Sequence, residues 1–155
     1  MSIKIILADD HQTIRLAQRC ILEREPDFEI VAEACNGREI IQLVEQSPPD
    51  VVIMDINMPE IDGFEATRRL SESCPGVRVI GVSLHSTEAY VLGMLHAGAS
   101  GYVSKNACVK ELNQAIRVVL KGQVYVSGRM HDMLITEIRQ IKGQKTPIIY
   151  DSPVL

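Results

Sequence analysis

Short apolar runs alternate with helix-patterned stretches through most of this chain, and that alternation sets the class of fold. The runs are Ile3–Ala8, Glu29–Ala34, Val51–Asp55, Val77–Ser83 and Gly101–Ser104. Runs of this length suit strands, and apolar residues at odd and even positions alike suit strands covered on both faces. Between them, apolar residues return at helical spacing. Ile14, Ala17, Ile21 and Leu22 form a first stripe, followed by Ile40, Ile41 and Val44 and by Phe64, Ala66, Thr67 and Leu70. A helix is expected from about Thr87 to His96, and another carries Val109, Leu112, Ala115, Ile116 and Val119. Pro48-Pro49 and Pro75-Gly76 punctuate the pattern. It predicts five βα units: an α/β, doubly wound, five-stranded parallel sheet with helices on both sides. Right-handed crossovers favour the strand order 2-1-3-4-5.

Where the runs stop, polar residues begin. The first leads into Asp9 and Asp10, the third ends in Asp55, the fourth in Ser83, and the fifth runs into Lys105. The second ends in Cys35-Asn36-Gly37, which carries no comparable chemistry. Taken singly, an acid pair caps a helix, a serine makes a turn and a lysine is solvated. At the carboxyl ends of strands flanking the switch point of such a sheet, they converge on one cleft. Crowded carboxylates repel unless a cation joins them. Hard oxygen donors suit Mg²⁺, with Mn²⁺ as a substitute. Asp10 and Asp55 are the expected direct ligands, with Asp9 acting through water and the backbone carbonyl of Asn57 adding an oxygen. A carboxylate in that position also acts as a nucleophile toward phosphorus, giving an acyl phosphate. Lys105 and the Ser83 hydroxyl would then each take a phosphoryl oxygen. His11 reads as a helix-start residue, and His96 and His131 receive no role.

Composition narrows the function classes. A chain of 155 residues supports one main domain, and with no Trp and 4% aromatics its core is mostly aliphatic. A net charge of −4 does not suit a chain that itself coats DNA or an anionic membrane. No apolar run approaches the roughly 20 residues of a membrane span, and Met1-Ser2-Ile3-Lys4 leads straight into a strand pattern without a signal peptide. A cytoplasmic location is expected. Cys20, Cys35, Cys74 and Cys108 are scattered and read as reduced, partly buried packing residues.

Beyond Lys121-Gly122 the pattern changes. Val124-Tyr125-Val126 reads as a short extended piece, and a helix is expected from about Gly128 to Lys142, with Met130, Met133, Leu134, Ile138 and Ile141 on one side. Such a stripe needs burial, against this domain, a second subunit or a further domain. Residues 1–121 are therefore expected to be the phosphoacceptor unit, and 122–155 a linker with one helix and a tail. The Thr87–His96 helix is apolar on more than one side. Leu92 and Leu95 are expected to pack inward, leaving Tyr90, Val91 and Met94 as a partner surface.

Four segments together carry a resemblance: Leu7–His11, Val52–Gly63, Ser83, and Gly98–Lys105. They resemble the receiver domain of two-component response regulators, a CheY-like, flavodoxin-like fold, over about residues 3–121. The resemblance implies that Asp55 accepts a phosphoryl group from a sensor histidine kinase or a small acyl phosphate, and that Ser83 and Tyr102 form a switch pair. It implies that Asn57 and His85 flank the attacking water and tune self-dephosphorylation. Such a chain catalyses only its own phosphorylation and dephosphorylation. With Lys105-Asn106 and Gly122–Ser127, the finer pattern is similar to the NarL/FixJ (LuxR-type) subfamily. Members of that subfamily continue into a helix-turn-helix domain that binds DNA and controls transcription, and for this chain a homodimer is expected on phosphorylation. The residues after Lys142 are too few for that domain, so contact with DNA is expected only through an effector outside this chain. The alternative is a stand-alone receiver acting by protein–protein interaction. A haloacid-dehalogenase-like phosphatase also uses a strand-end Asp, Mg²⁺ and a lysine, but takes a second acid where Asn57 stands. A flavodoxin-type nucleotide-binding domain would want a Ser/Thr/Gly-rich loop where Asp9-Asp10-His11 stand.

Overall fold

A computed structural model describes residues 2–84, 87–106 and 109–149. The elements run β1 (Ile3–Ala8), α1 (Gln12–Leu22), β2 (Phe28–Ala34), α2 (Gly37–Gln46), β3 (Val51–Asp55), α3 (Gly63–Ser73), β4 (Arg78–Ser83) and α4 (Glu88–Ala97). Next come β5 (Gly101–Ser104), α5 (Val109–Leu120), β6 (Val124–Val126), α6 (Gly128–Lys142) and β7 (Ile148–Ile149). All neighbouring strands pair in parallel. The α/β class and the order β2-β1-β3-β4-β5 are as expected, but the sheet has seven strands, because β6 and β7 continue it beyond β5. The sheet thus exceeds the expected five strands by two. Runs of three and two residues carry too little periodicity to be read as strands, and it is the partner edge that makes them so.

Helix starts are set by local chemistry. Asn36, Asp62 and Thr87 accept hydrogen bonds from the backbone N–H groups of Glu39, Glu65 and Tyr90, capping α2, α3 and α4. Gly98, at φ 117°, closes α4 in the left-handed region that glycine tolerates.

Two cores flank the sheet. On one face α1 and α5 cover Ile5, Leu7, Ile53, Ile80, Val82 and Val103. On the other, α2, α3, α4 and α6 cover Ile6, Val52, Met54, Val79 and Tyr102. The α5 connection steps along the sheet in the same direction as those of α2, α3 and α4, yet α5 lies on the α1 face. It therefore has the opposite hand to them, against the strong preference for one hand. The reason is coverage: α1 alone would leave the apolar sides of β3, β4 and β5 bare on that face.

Three packing expectations change. On α1 the buried positions are Gln18 and Leu22, and Ala17 faces solvent with Leu16. Ile14 and Ile21 are half-buried and Leu22 is buried as expected, so only Ala17 gives way, to Gln18. On α4, Val91 and Met94 are buried along with Leu95, so they do not form the expected partner surface. Helix α6 covers them, packing Met130, Leu134 and Ile138 into the same cluster. An α4 that is apolar on several sides thus lies between the sheet, α3 and α6. Cys20 and Cys35 are exposed rather than packed, since one rides the outer face of α1 and the other follows the edge strand β2. Cys74 is half-buried and packs as expected, and all three are free thiols. Cys108 lies outside the described residues. Among the described residues, no helix is long and apolar enough to cross a membrane.

Candidate functional site

The strand ends converge as the alternation requires. Pairing of Ala8 with Met54 and of Asp55 with Val82 brings the tips of β1, β3 and β4 side by side, and pairing of Ser83 with Ser104 adds β5. Asp9 and Asp55 are 0% and 2% exposed, and Ser83 and Tyr102 are equally buried. The Lys105 ammonium lies 2.8 Å from Asp9 Oδ2 and 3.0 Å from Asp55 Oδ1, with its side chain 9% exposed. Its backbone N–H donates to the Ser83 carbonyl at 3.0 Å, which ties the lysine to the end of β4.

The loop after β3 is held as tightly. Gly63 donates to the Ile56 carbonyl at 2.8 Å, and a Cβ on Gly63 would collide with the Asp55 carbonyl. That contact accounts for the glycine after Asp62: the start of α3 is pressed against the backbone of Asp55. Asn57 is exposed at the rim. Its N–H donates to Asp55 Oδ1 at 3.4 Å, and its Oδ1 accepts from the Tyr90 hydroxyl, also at 3.4 Å. Tyr90 is fixed in turn by an edge-to-face contact with Phe64, ring centroids 5.6 Å apart.

The electrostatics are those of crowded carboxylates gathered around one ammonium. Burial pushes the Asp55 carboxyl above its ordinary range, and the nearby charge of Asp9 pushes it further, against the pull of Lys105. Burial works against the Lys105 ammonium, but its hydrogen bonds to Asp9 and Asp55 outweigh it and raise the group. Asp55 Oδ2 is buried with no hydrogen-bond partner among the described residues, a position a native fold rarely leaves empty. Oxygen or nitrogen ligand atoms of Asp9, Asp10, His11 and Asp55 all lie within 4.8 Å of one another, so this acidic group fits a metal ion.

Of the residues singled out in the sequence, Asp9, Asp55 and Lys105 are in direct contact. Asp10 belongs to the same cluster from the solvent side, and Asn57 touches Asp55 through its backbone. His85 lies outside the described residues. The structure adds contacts to the site beyond those readings. His11 is the N-cap of α1, and its Nδ1 also sits 3.1 Å from Asp9 and 3.0 Å from Asp10. Arg15 donates to the Asp9 carbonyl. The position of His11 immediately after the acid pair was a usable signal. For Tyr90, on a helix far in sequence from the loop that carries Asn57, there was none.

Comparison with known proteins agrees with this geometry. The chain is 42% identical over 142 residues to the transcriptional regulatory protein DegU of Brevibacillus brevis, a match covering 92% of this chain and 60% of that protein. It is 34% identical over 145 residues to the response regulator GacA of Pseudomonas syringae pv. syringae, covering 94% and 68%. The chain therefore spans only part of these relatives. Among solved structures, a two-component response regulator of the LuxR family from Aurantimonas sp. superposes with a TM-score of 0.81 at 35% identity. That match covers 90% of this chain and 99% of the other. The signal receiver domain of the putative response regulator NarL from Mycobacterium tuberculosis gives 0.76 at 27% identity, covering 79% and 98%. Residues 5–117, from the middle of β1 to the last turns of α5, match the profile of the response regulator receiver domain. On that match this chain belongs to the response regulator receiver domain family, and by its likeness to the Aurantimonas structure to the LuxR-family receivers.

Proposed function

We propose that Asp55 is the phosphoacceptor of a two-component switch, taking its phosphoryl group from the phosphohistidine of a sensor histidine kinase. The observation that carries this reading is the setting of the Asp55 carboxylate. It is buried at a strand tip, with one oxygen on Lys105 and the other without a partner among the described residues. In the transfer, an Asp55 oxygen bonds to phosphorus as the phosphorus–nitrogen bond to the donor imidazole breaks. The imidazole keeps the electron pair and takes up a proton. Hydrolysis later returns the free carboxylate and inorganic phosphate. Lys105, already beside Asp55, takes one phosphoryl oxygen and the Ser83 hydroxyl another. Asp9, Asp10 and Asp55, with the Asn57 carbonyl, would hold Mg²⁺ or Mn²⁺, which supplies the remaining charge neutralisation. Asn57 and His85 tune the water that ends the signal.

Ser83 and Tyr102 are the switch pair: the hydroxyl is drawn to the new dianion and the ring fills the space behind it. Beyond its own phosphorylation and dephosphorylation the chain is not an enzyme. It works in the cytoplasm, homodimerises on phosphorylation, and controls transcription through a DNA-binding effector domain outside residues 1–155. In this division residues 1–121 receive the signal, and 122–155 link it onward.

The test is incubation with acetyl phosphate and Mg²⁺ followed by intact mass. A gain of one phosphoryl group in the wild type and none in Asp55→Asn is expected. A gain that persists in the variant overturns the assignment. Sedimentation with and without acetyl phosphate checks the dimer, and an unchanged coefficient removes it.

A further inference from the structure

Ser127 spends its hydroxyl in an unusual way. It stands at the N-cap of α6, where serine ordinarily accepts a hydrogen bond from the first turn, an interaction worth about 1 kcal/mol. Here it makes no such cap. Its hydroxyl donates to Glu111 Oε1 at 2.7 Å and accepts from the Ser104 backbone N–H at 3.3 Å. Its own N–H donates to the Tyr102 carbonyl at 3.1 Å. Glu111, in the first turn of α5, is 8% exposed, and a carboxylate is rarely buried so far without a structural or functional reason. One serine side chain therefore ties the end of β5 to α5 at the residue where α6 begins.

The two ends of this tie matter. Ser104 directly precedes Lys105, whose ammonium grips Asp9 and Asp55 and whose N–H holds Ser83. Tyr102, two residues earlier, lies in the same cluster as Met130, Leu134 and Ile138 of α6 and Val91, Met94 and Leu95 of α4. The α6 helix is seated on α4 by apolar contact, while its N-cap residue, Ser127, is bonded to the strand that runs into the cleft lysine.

We propose that Ser127, anchored by buried Glu111, is the joint through which the state of the cleft controls the seating of α6 on α4. The inference rests on the phosphoacceptor reading and adds its output route. When Lys105 and Ser83 are drawn toward a phosphoryl group, the end of β5 moves with them. Ser104 and Tyr102 pass the movement to Ser127, and α6 loosens from α4. The uncapped first turn of α6 lowers the resistance to that motion.

The test is amide hydrogen exchange of residues 128–142, with and without acetyl phosphate and Mg²⁺, while intact mass reports phosphate uptake. In the wild type, phosphorylation is expected to speed α6 exchange about tenfold, a coupling within the usual range. Ser127→Ala is expected to take up phosphate as the wild type does, with the α6 response cut to less than about twofold. Ser127→Thr, which keeps the hydroxyl, is expected to restore it. Should the alanine variant fail to fold, Glu111→Gln weakens the same anchor with little change of shape and is expected to blunt the response. An equal response in the wild type and the folded variants overturns the joint. A wild type that gains phosphate with no change in α6 also overturns it. A wild type that gains no phosphate overturns the phosphoacceptor reading, and this inference with it.

Discussion

Replacing Lys105 by Met measures how much the cleft depends on its one buried ammonium. The lysine is 9% exposed and lies within 3.0 Å of two carboxylates that are almost wholly buried. Methionine matches its length and fills its space, so the loss is electrostatic rather than a cavity. Removing one partner of a buried ionic group typically costs about 3–5 kcal/mol, because the charges left behind have no compensation. In a chain of 155 residues each kcal/mol moves the unfolding midpoint by roughly 2–4 °C. A drop of about 6–20 °C in metal-free buffer is therefore expected. Mg²⁺ then takes over the role of the lost ammonium beside Asp9 and Asp55. At about 100 times its dissociation constant a ligand adds about 2.7 kcal/mol, so a large part of the loss returns. Because the ammonium no longer competes for the same oxygens, the Mg²⁺-induced gain exceeds that of the wild type. Thermal unfolding of both proteins with EDTA and across a Mg²⁺ titration checks this. A metal-free drop under about 2 °C, or an equal Mg²⁺ gain in both proteins, refutes the electrostatic account of the cleft.

Other perturbations have defined signs. Asp55→Asn is expected to raise the metal-free stability. The folded-state pKa of Asp55 is raised, so its favourable contribution is complete only below the ordinary carboxylate range, and is lost as pH rises through the folded value. The advantage of the variant, read by denaturant unfolding, is therefore largest at neutral pH and shrinks on acidification; a variant less stable than wild type at neutral pH contradicts this. Gly63→Ala drives a methyl group into the Asp55 carbonyl. It should cost about 1–3 kcal/mol and slow acetyl-phosphate uptake, and unchanged uptake would show that the loop adapts. Leu134→Ala empties a position that is 2% exposed between α6 and α4, with a loss of about 2–5 kcal/mol in urea unfolding. A loss below about 1 kcal/mol would mean that α6 is not seated as described.

The cleft was legible because its grammar is local. An apolar run with a polar tip needs no tertiary knowledge to be noticed, and parallel topology alone brings the tips of β1, β3, β4 and β5 together. What escaped depends on partners distant in sequence. The stripe on α6 says that it must be buried, but not that α4 is what buries it. Val124–Val126 and Ile148–Ile149 are strands only because an edge is waiting for them. On α1, Gln18 reads as polar and solvent-facing, and tertiary packing placed it inward in place of Ala17. The link from Tyr90 to Asn57 joins a helix to a loop 33 residues away, which no spacing rule anticipates.

The added strands bear on where this protein can be spliced. Tyr125 and Val126 lie in register with Gly101 and Tyr102, and Ile148 and Ile149 extend the same ladder. A chimera joined near residue 121 would strip a neighbour from β5 and lay open the backbone beside the cleft lysine. A junction placed after Ile149 leaves the ladder whole, so a foreign module grafted there would inherit an undamaged sensor.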